Sequence, residues 1–282
     1  MSQAIPRLKR ALIAASSTAI EHLDPSNRCL WGVSDQVPAG SLICVYRRSN
    51  TPTVEALVAQ ARSLDWTVAL WALDDVAGSL GPHTVGHGPG SRFALLNKLV
   101  THLAPEPNRW VVVADDDVVV PEPGLGRLVS LAAHLGLGLA QPAHGPRSMV
   151  NHGFTRRRAA SIARLTNFVE IGPVVAIAPA WRARVVPFPE DVGMGWGLEL
   201  TWSDLRRDGC RLGIIDAVSM RHLSAAGTGY DASIEKERTH ALLDERGVAS
   251  MKGYQSELVR WRPWQRRAPA GFTQPGSTPQ GG

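Results

Sequence analysis

Trp110-Val-Val-Val-Ala-Asp-Asp-Asp117 joins an apolar, β-branched run to three consecutive aspartates. Such a run is typical of a buried parallel strand, and the ligands of open α/β sheets bind at the carboxyl ends of their strands. Alternate carboxylates at that edge suit a divalent metal that carries a phosphorylated substrate, and their hard oxygens favour Mg²⁺ or Mn²⁺. The structural alternative is a solvated aspartate turn. The segment therefore predicts an α/β fold with a site beside its three carboxylates.

Strands and helices are predicted to alternate on both sides of this run. Before and including it, the pattern predicts strands at 42–47, 67–73 and 110–114 and helices at 53–64 and 91–103. After it, the pattern predicts helices at 121–134, 155–165 and 198–208, strands at 136–141, 174–178 and 212–218, and a loop at 142–154. Residues 78–90 are rich in glycine and are predicted to be a loop. This alternation predicts a mostly parallel sheet flanked by helices.

The length and composition predict one folded domain with two extensions. A chain of 282 residues can bury a large α/β core. Residues 1–40 are predicted to be a helical extension with an amphipathic helix at 7–23, and 41–262 form the α/β domain. Residues 263–282 are dominated by Gly, Pro, Ser, Thr and Gln, which predicts a disordered tail.

The net charge of +5 is concentrated in two places. Residues 141–170 hold five arginines against one glutamate, and 252–282 hold five basic residues against one glutamate. These patches are compatible with an anionic sugar nucleotide, an anionic acceptor, an acidic membrane surface or nucleic acid. Nucleic acid is not expected as a partner, because the chain has neither an aromatic RNP pattern nor zinc-finger spacing.

Several further features bear on the compartment. No apolar stretch approaches the roughly 20 residues of a membrane span, and no signal peptide is recognised, so no transmembrane segment is predicted. Trp261 and Trp264, flanked by arginines, leave a peripheral membrane contact open, with packing onto the domain as the alternative. The three cysteines are odd in number and widely spaced, which argues against disulfides and a zinc site and predicts a cytoplasmic location.

Four segments follow one another in a recognisable order. They are Gly88-Pro-Gly-Ser-Arg-Phe-Ala-Leu-Leu-Asn97, the aspartates, Gly193-Met-Gly-Trp-Gly-Leu-Glu-Leu200 and a histidine after the last core strand, His222. Together they resemble the GT-A fold glycosyltransferases, in particular the family 2-like, metal-dependent members with an Asp-X-Asp motif. The resemblance covers residues 42–230 and implies a nucleotide-sugar half at 41–121 and an acceptor half at 122–262.

The resemblance implies a metal site made of Asp117, Asp115 and His222. Asp117 would be the carboxylate most directly on the metal, and Asp115 would hold the ribose or share the metal. His222 would complete the coordination, with a purely structural histidine as the alternative. Asp116 is counted with the donor-binding residues, although it points to the opposite side of an extended chain and a structural role is favoured.

The resemblance also implies donor contacts at the ends of the first two strands. Tyr46 and Arg47 follow the first strand, and Asp74 or Asp75, after the second, would bind the base or ribose. Tyr46 could equally belong to the core, and the aspartate pair could cap a turn. Arg92, near a helix N-terminus, would contact the diphosphate with help from free backbone N–H groups.

The acceptor side is implied by the segment around Gly195-Trp-Gly197. Trp196 would stack on a sugar, and Glu199 would be the general base that deprotonates the acceptor hydroxyl. Relatives place their carboxylates slightly differently in this segment, so Asp191 and Glu190 remain rival bases, and Glu199 could instead only cap its helix.

The implied reaction moves a sugar from a nucleoside-diphosphate sugar to a hydroxyl acceptor, which the basic run at 156–164 would allow to be anionic. In-line displacement with Glu199 as the base would invert the anomeric centre, and the sequence leaves retention open. One alternative is a nucleotidyltransferase acting on a sugar phosphate, but Tyr46-Arg-Arg-Ser-Asn50 lacks the glycines of a phosphate loop. The other is a catalytically inactive nucleotide-sugar-binding protein.

Overall fold

The computed structural model describes residues 36–190, 193–224 and 232–265. The predicted amphipathic helix at 7–23, the candidate base Asp191 and the tail from residue 266 onward lie outside the described residues.

The amino-terminal half is a parallel sheet centred on the apolar run. Its strands are β1 (Gly40–Tyr46), β2 (Thr67–Ala72), β3 (Thr84–His87) and β4 (Trp110–Asp115), in the spatial order β4-β1-β2-β3. Helices α1 (Thr51–Ser63) and α2 (Arg92–Leu103) connect them, and Pro52 suits the first turn of α1 because proline has no N–H to leave unpaired there. The five strands and helices predicted for this half are confirmed, each within two residues at either end.

The carboxyl-terminal half extends the same sheet in mixed directions. Its strands are β5 (Val118–Val119), β6 (Leu139–His144), β7 (Ala163–Thr166), β8 (Val174–Ile177), β9 (Leu212–His222) and β10 (Glu257–Trp261). Strand β8 lies between β4 and β6 and is antiparallel to both. Strand β6 pairs in parallel with β9, β7 pairs antiparallel with β9, and β10 pairs antiparallel with β7. The spatial order is β10-β7-β9-β6-β8-β4-β1-β2-β3, with β5 on β9. The predicted fold class, an α/β sheet flanked by helices, is confirmed.

The core explains why β4 is apolar on both sides. Val112 and Ala114 face one hydrophobic cluster, which includes residues of α1 and of α3 (Gly124–His134), whereas Val111 and Val113 face a second cluster, which includes residues of α2. A strand covered on both faces reads as a continuous hydrophobic run. Its end, and the aspartates that follow, are thereby held at one edge of the sheet.

The predicted basic helix at 155–165 is wrong. The chain there forms a 3₁₀ turn at Gly153–Thr155, an irregular stretch and then β7. Arg164 of β7 donates from Nε to Asp216 of β9 over 2.8 Å, and both side chains are fully buried. This ion pair holds β7 against β9. The sequence pattern could not predict it, because the local run of charges does not reveal a partner 52 residues away.

Other boundaries shift for local reasons. The helix predicted from 121 begins at Gly124, after Pro121 and Pro123. The strand predicted at 136–141 is β6 at Leu139–His144, whose last three residues lie in the segment predicted to be a loop. The helix predicted at 198–208 is α5 (Leu198–Asp204) followed by a 3₁₀ turn, and the strand predicted to end at 218 continues to His222. Five elements of the described chain were not predicted: β3, β5, α4 (Pro179–Val185), α6 (Ala232–Glu245) and β10. Strand β3 lies within residues 78–90, so the prediction of a loop there is wrong for Thr84–His87, which pair with β2.

In the described part of the chain, no helix combines the length and the apolar character needed to cross a membrane. Trp261, in β10, is fully buried, so it packs onto the domain and is not available for a membrane contact. Trp264 is largely exposed.

Candidate active site

A cavity of about 770 Å³ opens where β1 and β4 end. Most of the predicted site residues lie in its wall, namely Arg47, Arg92, Asp115, Asp116, Asp117, Trp196, Gly197, Glu199 and His222. The wall also contains residues of 170–173 and of α6 and the turn after it. The fold thus brings together segments that are far apart in the sequence.

Asp117 and His222 form a pair at this cavity. Asp117 Oδ1 lies 3.2 Å from His222 Nε2, and both side chains are only partly buried. The backbone fixes the pair, since Val118 lies opposite His222 in the β5–β9 ladder. Burial would raise the pKa of Asp117, yet the hydrogen bond with His222 brings it below its usual value. Burial would lower the pKa of His222, and Asp117 outweighs this and raises it.

Asp115 is held by Arg92 and not by this pair. Its Oδ1 accepts hydrogen bonds from Arg92 Nε at 3.1 Å and Nη2 at 2.6 Å. Within the described ranges, no group of three His, Cys, Asp or Glu side chains is arranged to hold a metal ion. The geometry therefore does not support Asp115 as a shared metal ligand, and its contact with the ribose stays a prediction.

The Asp117–His222 pair by itself fits a divalent metal. Mg²⁺ and Mn²⁺ in phosphate-carrying sites commonly take only one or two carboxylates, and water and phosphate oxygens fill the other positions. A carboxylate oxygen and an imidazole nitrogen facing the same cavity are suitable ligands for Mn²⁺.

Asp116 ties the ends of two strands together. Its Oδ2 accepts a hydrogen bond from the backbone N–H of Arg47 at 2.8 Å, and the Arg47 guanidinium lies 3.9 Å away. Burial raises the pKa of Asp116, although the N–H of Arg47 opposes the shift. These contacts support the structural role, because the carboxylate links the end of β1 to the end of β4.

The expected donor contact of Tyr46 is wrong. The ring is fully buried in a hydrophobic cluster, and its hydroxyl bonds to Thr84 Oγ1 at 3.0 Å. Alternation along β1 directs it away from the cavity that Val45 and Arg47 line.

Asp74 and Asp75 lie outside the cavity wall. Asp74 Oδ1 accepts a hydrogen bond from the backbone N–H of Arg48 at 2.8 Å, and Asp75 lies 3.7 Å from the Arg48 guanidinium. Both aspartates therefore contact the turn after β1, in agreement with the structural role in a turn and not with the expected donor contact.

Glu199 is a buried carboxyl group in the cavity wall. It lies in the first turn of α5, is 6% exposed, and accepts a hydrogen bond from the backbone N–H of Gly197 at 3.0 Å. Burial raises its pKa to about 7, and the negative charge of Glu170 adds to the rise. A carboxyl group with such a pKa suits general base catalysis near neutral pH. The rival Glu190 is bound by Asn97 Nδ2 at 3.0 Å and lies outside the cavity wall.

The segment before Glu199 is anchored by a residue that the sequence analysis missed. Glu235 of α6 is buried, and its carboxylate accepts hydrogen bonds from the backbone N–H groups of Met194 at 2.9 Å and Trp196 at 3.4 Å. Gly195 does not line the cavity but packs against the Phe93 ring, with φ 89°. Trp196 thereby presents its side chain to the cavity. No motif marks Glu235, and α6 itself was not predicted.

A second missed residue is Glu170, which had been counted only as a charge. It is 3% exposed and lines the cavity. Its Oε1 accepts a hydrogen bond from Thr155 Oγ1, and its Oε2 lies 3.4 Å from His144 Nε2. His144 Nδ1 in turn lies 2.6 Å from Ser148 Oγ, which accepts the backbone N–H of His222 at 2.9 Å. The sequence signal that could have identified Glu170 is that it is the single acidic residue in the basic segment 141–170.

Comparison with known proteins concerns the fold alone. No family model matches the chain, and no curated protein matches it. The crystal structure of GalNAc-T7 with UDP, GalNAc and Mn²⁺ matches it with a TM-score of 0.54 at 9% sequence identity. The match covers 74% of this chain and 48% of GalNAc-T7, so the chain spans about half the length of that neighbour. The chain has a GT-A-type fold. The fold expectation carried by the four sequence segments is therefore confirmed.

Proposed function

We propose that this chain is a glycosyltransferase that moves a sugar from a nucleoside-diphosphate sugar to a hydroxyl acceptor. The observation that carries the proposal is one cavity wall holding both the Asp117–His222 pair and Glu199, a buried carboxyl group with a pKa of about 7. The neighbour of similar fold was solved with UDP and Mn²⁺, which supports a nucleotide-sugar donor.

The aspartate end of the cavity would bind the diphosphate. Asp117 and His222 would hold Mn²⁺ or Mg²⁺, which when bound offsets negative charge on the departing diphosphate. Arg47 and Lys236 line the same cavity with exposed side chains and would attract the phosphates. Arg92 begins α2, whose free backbone N–H groups favour an anion at that end of the helix.

Glu199 would act on the acceptor. Its ionised form takes the proton from the attacking hydroxyl, which makes the oxygen a better nucleophile as it bonds to the anomeric carbon. Trp196 offers an apolar surface in the same wall on which a sugar can stack. Because Glu199 is buried, water competes little for its carboxylate.

Product analysis tests the proposal. The chain is incubated with UDP-, GDP- and dTDP-sugars and Mn²⁺, and the released nucleotide products are separated by chromatography. Slow release of nucleoside diphosphate and free sugar, through attack by water, is the expected result. Pyrophosphate release would instead indicate nucleotidyl transfer.

Ligand binding without turnover would indicate an inactive binding protein. A thermal-shift screen with the same nucleotides separates this outcome from an absence of binding, because a ligand at 100 times its dissociation constant stabilises the fold by ~2.7 kcal/mol.

A further inference from the structure

We propose that Glu170 and Glu199 form an acidic acceptor pocket, which takes a neutral or cationic polyhydroxyl compound and rejects anionic ones. The inference rests on the proposed function and specifies the acceptor class of the same cavity. It replaces the expectation of an anionic acceptor.

Glu170 is built as a buried hydrogen-bond acceptor that faces the cavity. One carboxylate oxygen receives the Thr155 hydroxyl, and the other faces His144 Nε2 at 3.4 Å. Each carboxylate oxygen has about two lone-pair positions, so one protein partner does not saturate either oxygen. Only hydrogen-bond donors, such as hydroxyl or ammonium groups, can use them.

The surrounding network holds this carboxylate in place. The backbone N–H of Glu170 donates to Gln141 Oε1 at 2.6 Å, and His144 is itself braced by Ser148. All four of these side chains are at least nine-tenths buried. A fixed buried carboxylate binds a ligand with little loss of side-chain entropy.

The charges of the wall favour the same class of ligand. Among the described residues, five Asp and Glu side chains line the cavity, against three Arg and Lys side chains. Arg92 is paired with Asp115 at 2.6 Å, and the exposed Arg47 guanidinium lies 3.9 Å from Asp116 at the aspartate end of the cavity. Across the described ranges, neither Glu170 nor Glu199 has an ion pair with Arg or Lys. An anionic group placed beside Glu170, or beside the ionised form of Glu199, would meet negative charge that no Arg or Lys side chain is paired with.

The arginines that had suggested an anionic acceptor lie elsewhere. Arg164 is buried against Asp216, and Arg157 Nε donates to the Asp216 carbonyl oxygen at 3.0 Å. Neither of them, nor Arg156 or Arg158, lines the cavity. Neutral polar groups lie in the wall instead, including Asn151 and Ser250. Such groups suit a compound rich in hydroxyls.

A matched hexose series tests the proposal on the parent protein. Methyl glucoside, glucosamine and glucuronate are titrated in the presence and absence of UDP and Mn²⁺, and binding is followed by saturation-transfer NMR. The neutral and cationic sugars should bind at least about tenfold more tightly than glucuronate. Equal or tighter binding of glucuronate, or no binding of any of the three, would overturn the proposal.

Two variants assign the effect to Glu170. Glu170→Gln keeps the size of the side chain but removes its charge, so the preference for glucosamine over glucuronate should fall about tenfold. Glu237→Gln, on the exposed face of α6, is the matched control and should keep the preference. An unchanged preference in Glu170→Gln would contradict the assignment. If this variant does not fold, the comparison of the three sugars on the parent protein still tests whether the pocket rejects anionic ligands.

Nucleotide affinity separates this inference from the proposed function. If UDP with Mn²⁺ binds while the sugars bind without regard to charge, only the acidic acceptor pocket is wrong. If UDP does not bind with or without Mn²⁺, the proposed function fails, and the charge preference measured without nucleotide still decides the pocket.

Discussion

Glu199 has two opposed properties, burial that disfavours its charge and a position where that charge would be used. Glu199→Gln keeps the size of the side chain and removes a strong base. We expect turnover to fall by roughly 10²- to 10⁴-fold while donor affinity measured by calorimetry survives. Asp191→Asn is the comparison, because Asp191 is the remaining rival base. Near-parental turnover of Glu199→Gln, with a large loss in Asp191→Asn, would move the role to Asp191.

The same residue should make the stability depend on pH. Burial raises the folded-state pKa from the ordinary 4.5 to about 7, so between these values the folded chain holds a proton that the unfolded chain has released. The contribution of Glu199 to stability therefore falls as pH rises through this window.

Glu199→Gln removes this penalty. At pH 8 the variant should gain up to about 3 kcal/mol in unfolding free energy relative to the parent, and much less at pH 5. Urea unfolding at the two pH values measures the difference. A gain that is equal at both pH values would contradict the shifted pKa.

At the scale of the elements, the loop before α5 depends on a close backbone approach. A Cβ at Gly195 would lie 2.3 Å from the Phe93 ring, and φ is 89°. Gly209 has φ 91°, and a Cβ added there would meet no described neighbour within 4 Å, so Gly209 isolates the cost of the backbone conformation. Gly209→Ala should cost about 1 kcal/mol, and Gly195→Ala should cost about 2 kcal/mol more because it adds overpacking. Equal losses in denaturant unfolding would show that the loop moves freely.

The elements also show which parts of the fold the sequence could predict. The parallel half was predictable because β1, β2 and β4 combine hydrophobic runs with clear turn signals, which depend on nearby residues alone. Helix α6 was missed because its few apolar residues form no clear stripe, although it carries Glu235 and closes part of the cavity. The motif-bearing residues Asp117, Glu199 and His222 could be predicted, whereas Glu170 and Glu235 act through contacts between distant segments.

At the scale of the whole molecule, Arg164 joins three segments of the carboxyl-terminal half. Besides its ion pair with Asp216, its guanidinium donates to the carbonyl oxygens of Phe154 at 2.9 Å and Arg156 at 3.0 Å. Arg164→Met leaves a buried carboxylate without its partner and should cost about 3–5 kcal/mol of unfolding free energy. The exposed Arg156→Met should change it by less than about 0.5 kcal/mol. Similar losses in both variants would contradict this role of Arg164.

The central claim is that Asp117 and His222 hold a metal that binds the donor nucleotide. Calorimetry of UDP binding with and without Mn²⁺ tests it, using the parent, Asp117→Asn and, as the control, Asp116→Asn. We predict that Mn²⁺ tightens UDP binding in the parent and in Asp116→Asn, and that Asp117→Asn loses most of this gain because it removes a negative ligand. Equal Mn²⁺-dependent affinities in Asp117→Asn and the parent would contradict the claim.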